Sequence, residues 1–496
     1  MNERGKSDSP VVPEKPPNNA GSPAAEAVEE SGLAKGNTAG KPRPRPRAGE
    51  SVTSALDRVR RVAQRDKGAR FTALLHHVDV DRLRAAYWAL NPRAATGVDG
   101  VTWRAYGQDL EGNLRDLHGR VHRGSYRPRP SRRAYIPKAD GRLRPLGIAA
   151  LEDKILQRAV VEVLNAIYEA DLVGFSYGFR PGRSPHDALD ALAVGILRRR
   201  VNWVLDADIR DFFTRLDRGW VERFLEHRIA DRRVLRLIRK WLKAGVIEDG
   251  VWSETVEGAP QGASASPLLA NVYLHYAFDL WAERWRRRHA RGDVIIVRFA
   301  DDYIAGFEHL EDARRFLAEL RDRLAKFSLE LAPEKTRLIE FGRFAAERRR
   351  ARGLGKPETF QFLGFTHICG KARDGRFMVK RITSKKRMRA KQQQVRDELR
   401  RRRHQPIPEQ GRWLGSVVRG HRAYYAVPGN RAAVAAFRTQ ATRDWHDVLR
   451  RRSQRTRLDW KRMNRLATRW LPPAEVMHPF PNARFDARTR GRSPVR

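Results

Sequence analysis

The chain has 496 residues, with 100 lysines and arginines against 58 aspartates and glutamates, which gives a formal net charge of +42. A charge of this size repels itself unless a polyanion neutralises it, so nucleic acid is a better candidate partner than a membrane surface. One cysteine, Cys369, excludes a disulfide scaffold and a cysteine-clustered zinc site. The sequence shows neither an apolar signal core nor a transmembrane run, and we therefore expect a cytoplasmic protein.

The first 50 residues are rich in proline, glycine, serine, asparagine and alanine and have few large apolar side chains. Such a segment cannot bury enough surface to order itself, and we predict a disordered arm. Its basic stretch Lys41–Arg47 could contact RNA, although a solvated tail is the simpler interpretation.

Helical and extended patterns alternate irregularly along the rest of the chain. Residues 152–172 carry one apolar stripe, which predicts a helix. Ser184 and Pro185 predict an N-cap and first helical residue, and Ser266 and Pro267 predict another helix start. Residues 201–209 read as a strand, and residues 294–307 as strand, turn and strand. After about Lys371 the strand patterns end and helical ones remain. The fold class is therefore α+β with antiparallel strands, followed by a helical domain.

Two acidic clusters stand where strands end. Asp301 and Asp302 are adjacent inside an apolar run, and a hairpin turn alone would explain them. However, Asp206 and Asp208 lie two apart at the end of another apolar strand and so point to one face. Converging carboxylates repel each other unless a cation lies between them. Mg²⁺ takes such oxygens, and two such ions support in-line nucleotidyl transfer.

Several blocks occur in the order typical of one family. They are ATGVDGVTW (95–103), YIPKADGRLRPLGI (135–148), GFSYGFRPGRSPHDAL (174–189), LDADIRDFF (205–213), GAPQGASASPLLANVYL (258–274), RFADD (298–302), LAPEKTRLIEF (331–341) and FLGF (362–365). With these blocks and the segment Arg412–Asn430, the chain resembles the reverse transcriptases, or maturases, encoded by bacterial group II introns. It resembles the branch that lacks an HNH endonuclease, because the C-terminal end has no cysteine pairs.

The resemblance implies a right-hand polymerase followed by a helical thumb and maturase region, called domain X. The expected divisions are an arm (1–50), an N-terminal extension with the start of the fingers (51–130), fingers and palm (131–370), thumb and domain X (371–475) and a C-terminal tail (476–496).

The resemblance also assigns roles to residues. The catalytic acids would be Asp208, Asp301 and Asp302, and two Mg²⁺ ions, with Mn²⁺ as a substitute, would be held by Asp208, Asp301 and the carbonyl of Ile209. The expected nucleotide-binding residues are Lys138, Arg144, Phe213, Gln261 and Lys335. Phe213 would exclude a ribose 2′-hydroxyl, whereas Phe212 reads as a core residue and Asp206 as a polar strand-end residue. Lys335 could equally be a surface lysine.

Template and primer contacts are expected from Arg180 and Arg183, and from the primer-grip residues Phe362, Leu363 and Gly364. The alternative for the two arginines is a capped loop in which they are solvated. The RNA-binding residues would be Arg387, Arg389, Lys391, Arg400, Arg401, Arg402 and Arg403, on a helix with so little to bury that it lies either in solvent or on a polyanion.

The resulting hypothesis is an RNA-directed DNA polymerase that also promotes splicing of its parent intron RNA and supports intron mobility. Its partners would be that RNA, an RNA template with a DNA primer, deoxynucleoside triphosphates and target DNA, with the protein at the nucleoid when it acts on DNA. Two alternatives remain: a splicing cofactor with a vestigial polymerase, and a retron, diversity-generating or phage-defence reverse transcriptase.

Overall fold

The structure, a computed structural model, describes residues 49–137, 143–248, 251–253, 262–372, 374–453 and 458–489. The side chains of residues 49–55, 137, 144 and 252 lie outside this description. The arm expected at residues 1–50 lies outside it too, apart from its last two residues, which begin the first helix.

Helices make up most of the described chain. They are α1 (Gly49–Arg65), α2 (Val80–Ala89), α3 (Trp103–Tyr106), α4 (Leu110–His122), α5 (Leu151–Asp171), α6 (Pro185–Arg198), α7 (Arg218–Glu226), α8 (Arg232–Lys243), α9 (Ser266–Leu274), α10 (Leu280–Arg288), α11 (Leu310–Ala325), α12 (Ala345–Ala351), α13 (Lys385–Arg401), α14 (Ile407–Tyr425), α15 (Arg431–Arg450), α16 (Trp460–Trp470) and α17 (Pro481–Thr489). Among the described residues, no helix is both long and apolar enough to cross a membrane.

The strands form three sheets. They are β1 (Ser131–Pro137), β2 (Leu143–Ile148), β3 (Trp203–Asp208), β4 (Val246–Glu248), β5 (Val251–Ser253), β6 (Val294–Phe299), β7 (Asp302–Phe307), β8 (Arg337–Glu340), β9 (Phe360–Phe362), β10 (Phe365–Lys371) and β11 (Phe377–Thr383). The central sheet has the order β6-β7-β3-β8 and is antiparallel throughout. An N-terminal sheet has the order β2-β1-β4-β5, and a third sheet the order β11-β10-β9. The architecture is therefore mixed, with a helical C-terminal part, as the sequence predicts.

The central sheet is buried on both faces, because its side chains alternate between two cores. On β3, Leu205 and Ala207 join a core that includes α5, whereas Val204 joins a second core with α6 and the third sheet. Helices α13 to α16 enclose a separate core around Trp445 and Met463. Packing on both faces holds the sheet rigidly. The side chains at the ends of its strands are therefore fixed in position.

Local signals explain several element boundaries. Helix α6 begins with a complete capping box: the Ser184 hydroxyl accepts from the Asp187 amide, and the Asp187 side chain accepts from the Ser184 amide. Pro185 occupies the first turn, where its missing N–H costs nothing. The predicted start of α6 is therefore confirmed in detail.

Two sequence expectations are wrong. Strand β11 lies beyond Lys371 and pairs with β10 over seven residues. Its buried residues are Val379, Arg381 and Thr383, so the segment shows no apolar alternation in the sequence. Ser266 is not an N-cap; it is the first residue of α9, and no side chain caps that helix. A π-helical segment, His275–Asp279, then separates α9 from α10.

The expected C-terminal tail contains helix α17, which packs on α6. Arg484 lies 2.6 Å from the buried Asp190 carboxylate, and Arg198 pairs with Asp486 at 2.7 Å. In the sequence, the segment is basic enough to resemble a solvated tail. Its arginines have buried partners only because the acidic residues of α6 lie beside them in the fold.

Candidate active site

Strand register brings the predicted acids together at one edge of the central sheet. Asp208, the last residue of β3, lies directly opposite Asp302, the first residue of β7. Asp301 occupies the turn between β6 and β7, and Asp206 lies on the same face of β3 as Asp208. Directly opposed side chains on antiparallel strands lie within about 5.5 Å at Cβ. We call Asp206, Asp208, Asp301 and Asp302 the acid cluster.

Burial, with mutual repulsion added to it, determines the electrostatics of the acid cluster. Burial raises the pKa of Asp302 well above its usual value, and the charges of Asp301, Asp206 and Asp208 raise it further. Burial also raises the pKa of Asp206 to about 6, although Arg337, at 3.5 Å, opposes this shift. Like charges in this arrangement favour protonation or a bound cation.

Three basic side chains partly neutralise the negative charge of the acid cluster. The Lys335 ammonium donates a hydrogen bond to the Asp208 carboxylate, and this bond raises the pKa of Lys335. Arg337 pairs with Asp206, and the charge of Arg387, from α13, lowers the pKa of Asp302. Lys335 is therefore not a free surface lysine; its ammonium stands where a cation would meet Asp208.

Within the described residues, no three histidine, cysteine, aspartate or glutamate side chains form a group that could hold a metal ion as placed. The donor chemistry nevertheless fits a hard divalent cation, since all the candidate ligands are carboxylate oxygens and their repulsion is incompletely neutralised. The backbone hydrogen bonds are consistent with the carbonyl of Ile209 as a further ligand. The Ile209–Leu331 bridge uses the carbonyls of Asp208 and Glu330, and not that of Ile209.

A buried arginine that sequence reasoning missed anchors the β6–β7 turn. Arg298 and Asp279 have fully buried side chains, and two guanidinium nitrogens contact the two carboxylate oxygens at 2.7 and 2.5 Å. The same guanidinium donates to the carbonyl of Ala300 at 2.9 Å, to Asn271 at 3.2 Å and to the Ser176 hydroxyl at 2.7 Å. Ala300 has φ +56°, an unusual conformation for a residue with a Cβ. The clamp holds the strained residue that precedes Asp301. The available signal was an arginine within an otherwise apolar strand.

The loop of residues 174–183 packs against this turn rather than standing open to a template. Tyr177 donates its backbone N–H to the carbonyl of Arg298 at 2.8 Å, and the Asn271 side chain donates to the carbonyl of Gly178 at 2.7 Å. A Cβ added at Gly178 would lie 2.3 Å from the backbone nitrogen of Ala300. Glycine is required there because the loop backs directly onto the turn.

The two loop arginines make internal contacts in this conformation, and their expected template contacts stay a prediction. Arg180 is buried, forms a two-pronged ion pair with Glu169 at 2.9–3.1 Å and donates to two backbone carbonyls. Arg183 is half-buried, donates to the Ser176 carbonyl at 2.9 Å and lies over the ring of Tyr177. The alternative of solvated arginines does not hold in this conformation, since both guanidiniums donate to groups inside the protein.

The structure describes only some of the expected nucleotide-binding residues. Lys138 and Gln261 lie outside the described residues, as does the side chain of Arg144, whose backbone pairs with Ile136 across β1 and β2. Phe212 is buried, as expected for a core residue, and Phe213 is half-buried with its ring edge-on to it, 5.3 Å away. Phe213 packs against the core but keeps part of its side chain exposed, five residues after Asp208 in the chain.

The predicted primer grip is a tight turn between β9 and β10. Leu363 and Gly364 both have positive φ, +48° and +82°, as a two-residue hairpin turn demands. The Tyr424 hydroxyl donates to the carbonyl of Leu363 at 2.8 Å, and a Cβ at Gly364 would lie 2.9 Å from the Tyr425 hydroxyl oxygen. Phe362 is buried beneath the turn. The turn is therefore joined to helix α14, a contact that the sequence did not reveal.

The basic residues of α13 fall into two groups. Arg387 and Arg389 are exposed near its N-terminal end, and Lys391 is half-buried one turn later. At the other end, Arg400 pairs with Asp397 at 3.6 Å, and Arg401 and Arg402 share Glu398 at 3.1 and 2.7 Å. Arg402 also covers the ring of Trp413, and Arg403 is half-buried. The exposed charges at this end are therefore those of Arg400 and Arg401.

The described site is thus an antiparallel sheet with aspartates at a hairpin turn and at the end of the adjoining strand. Residues 136–367 match the family described as reverse transcriptase (RNA-dependent DNA polymerase). The chain is 38% identical over 200 residues to Protein YkfC of Escherichia coli, covering 40% of this chain and 52% of that protein. It is 34% identical over 222 residues to the group II intron-encoded protein LtrA of Lactococcus lactis, covering 44% and 37%. A nuclear intron maturase of Arabidopsis thaliana is 30% identical over 95 residues, covering 18% and 13%.

Residues 136–367 are thus similar to the reverse transcriptase family, and parts of the chain are similar to group II intron-encoded proteins and intron maturases. The similarity spans about half of Protein YkfC and about a third of the Lactococcus protein. Members of this family generally use divalent metal ions.

Proposed function

We propose that this protein is an RNA-directed DNA polymerase encoded by a group II intron, which also binds its intron RNA to promote splicing and supports intron mobility. The observation that carries the proposal is the acid cluster, placed by strand register at one edge of the central sheet inside the reverse transcriptase domain. The central sheet would be the palm, the N-terminal sheet the fingers, and α13 to α16 the thumb and domain X. The protein would act in the cytoplasm, at the nucleoid when it uses target DNA.

In this proposal Asp208, Asp301 and the carbonyl of Ile209 hold two divalent ions, Mg²⁺ or Mn²⁺. When bound, these ions activate the primer hydroxyl and stabilise the leaving pyrophosphate. The protein's part is to keep the carboxylates in register, through the β3–β7 pairing and the Arg298 clamp. Asp302, whose pKa is raised by burial and its neighbours, shapes the site rather than ligating strongly.

The proposed contacts with the nucleotide and the primer follow from the positions of the residues that would make them. Phe213, half-buried and five residues after Asp208, would lie under the incoming sugar and exclude a 2′-hydroxyl. Lys138 and Arg144, which lie on either side of residues 139–143 in the sequence, would bind the triphosphate, and Gln261 would line the same pocket. The Leu363–Gly364 turn would guide the primer.

The first prediction concerns Lys335. Because its ammonium bonds to Asp208, a metal ion must displace it, and Lys335→Met should raise the affinity for Mn²⁺ by up to about fivefold, the worth of an exposed ion pair. The measurement is electron paramagnetic resonance titration of free Mn²⁺, which does not depend on activity. Arg337→Met is the matched control, since it removes a charge from the same edge but from Asp206. Equal effects of both variants would refute direct competition at Asp208.

The second prediction concerns the basic end of α13. Arg400 and Arg401 have side chains 52% and 76% exposed, so Arg400→Gln/Arg401→Gln should weaken intron RNA binding without unfolding the protein. Removal of each phosphate-binding cation makes the salt dependence of log K shallower by about 1, so the double variant should change it by up to about 2, with about tenfold weaker binding at low salt. Arg314→Gln/Arg321→Gln, on the exposed face of α11, removes the same charge as a control. Unchanged RNA affinity of the α13 variant would mean that this end of the helix lies in solvent and does not bind RNA.

Primer extension on an RNA template separates the proposed enzyme from a splicing cofactor with a vestigial polymerase. The purified chain with Mg²⁺ should extend a DNA primer, and RNA binding without extension would favour the cofactor. A retron, diversity-generating or phage-defence enzyme is excluded if intron RNA flanks the reading frame and binds specifically.

A further inference from the structure

A small basic cavity lies between the C-terminal end of α4 and the exposed face of α8. Its volume is about 120 Å³, and its basic lining residues are Arg123, Arg233, Arg236, Lys240 and the half-buried His122. None of its lining residues belongs to the acid cluster, the central sheet or α13 to α16. The cavity is therefore a feature separate from the site described above.

The frame of the cavity is rigid. Helix α4 ends at His122, and Gly124, with φ +79°, reverses the chain. The Tyr126 ring is buried, and its hydroxyl accepts a hydrogen bond from the Trp241 indole at 3.2 Å. Lys240 donates to the carbonyls of Gly124 and Tyr126, which ties α8 to this turn. The walls would keep their shape when a ligand binds.

The cavity carries positive charge that the protein does not neutralise. Arg233 is engaged with Asp231 at 3.3 Å, but Arg123 and Arg236 are exposed and have no acidic partner among the described residues. The pKa of Lys240 is lowered, first by burial and then by the charges of Arg236 and Arg127. Cations crowded without a counter-ion favour an anionic ligand.

Size and chemistry indicate which anion. Cavities that enclose a small organic molecule or nucleotide have volumes of about 300–1,000 Å³, well above this one. A single phosphate group fits better, and arginine guanidiniums recognise its oxygens in a two-pronged fashion. A phosphate attached to a long polymer can enter such a cavity while the polymer runs along the surface.

We propose that this cavity, with Arg123 and Arg236 as its ligands, is a second RNA-binding site that takes one backbone phosphate of structured intron RNA, distant in sequence from α13. The proposal rests on the proposed intron RNA partner and adds a place where that RNA is held.

The test uses the full chain carrying Arg123→Gln/Arg236→Gln and a labelled transcript of the intron flanking the reading frame. We expect about tenfold weaker binding and a salt dependence shallower by about 1, with thermal stability and primer extension on an unrelated template unchanged. Arg123→Lys/Arg236→Lys, which keeps the charge but not the forked geometry, should lose less. Arg314→Gln/Arg321→Gln is the matched control, and it should bind RNA like the unaltered chain.

Two outcomes overturn the proposal. Equal loss in the cavity and control variants would mean that only total charge matters. Unaltered RNA binding by the cavity variant would remove RNA as its ligand, and would leave an acidic protein surface as the alternative. Failure of the unaltered chain to bind intron RNA would instead contradict the proposed function. Failure of the cavity proposal and failure of the proposed function can therefore be told apart.

Discussion

Asp301→Asn is expected to reduce primer extension by at least about a hundredfold, the loss seen when one transition-state stabilising group is removed. The substitution keeps the size of the side chain and removes its charge, so a divalent ion would lose a ligand. The turn should survive, because asparagine suits turns as well as aspartate does. Intron RNA binding should stay near that of the unaltered chain, since it depends on the arginine surfaces. The measurements are primer extension with Mg²⁺ and filter binding, on one preparation.

Asp211→Asn is the matched control for this experiment. Asp211 lies three residues after Asp208, is exposed and has φ +45°, a conformation that asparagine tolerates. The same chemical change there should leave most of the extension activity. Efficient extension by Asp301→Asn would show that the paired aspartates are only a turn. A joint loss of extension and RNA binding would mean that the fold was damaged.

Asp279→Ala is expected to lower stability more than any surface substitution, by about 3–5 kcal/mol. The change leaves the Arg298 guanidinium buried without its carboxylate, and a buried unpaired charge is costly. Thermal unfolding should show a fall in Tm of about 10 °C. Extension should also fall, because the same guanidinium positions the carbonyl of Ala300 beside Asp301.

Two further variants separate stability from positioning. Asp279→Leu/Arg298→Met replaces the ion pair with apolar groups and should recover part of the stability, yet not the extension activity, since the Ala300 carbonyl loses its donor. Asp374→Ala breaks the exposed pair with Arg376 and should leave Tm unchanged. If Asp279→Ala melts like the unaltered chain, the clamp is not what holds the turn.

The acids could be predicted from the sequence because their signal is local. Charged residues at the ends of apolar strands are conspicuous, the spacing of Asp206 and Asp208 places them on one face, and Asp301 with Asp302 marks a hairpin tip. The helix at Pro185 was equally readable, since its capping residues are neighbours in the chain. Strand β11 was missed because its buried face carries Arg381 and Thr383 beside Val379, so its sequence shows no apolar alternation.

By itself, the sequence determined the α+β class, the two acidic strand ends and the excess positive charge, because periodicity, turn chemistry and net charge are properties of short segments or of composition. Only the tertiary structure decided which charges are used internally. Arg180, Arg298 and Arg484 look like the other arginines in the sequence, yet each meets a carboxylate at least 11 residues away along the chain. Whether a guanidinium binds a phosphate or a neighbouring acid depends on what the fold brings beside it, since burial makes the unpaired alternative too costly.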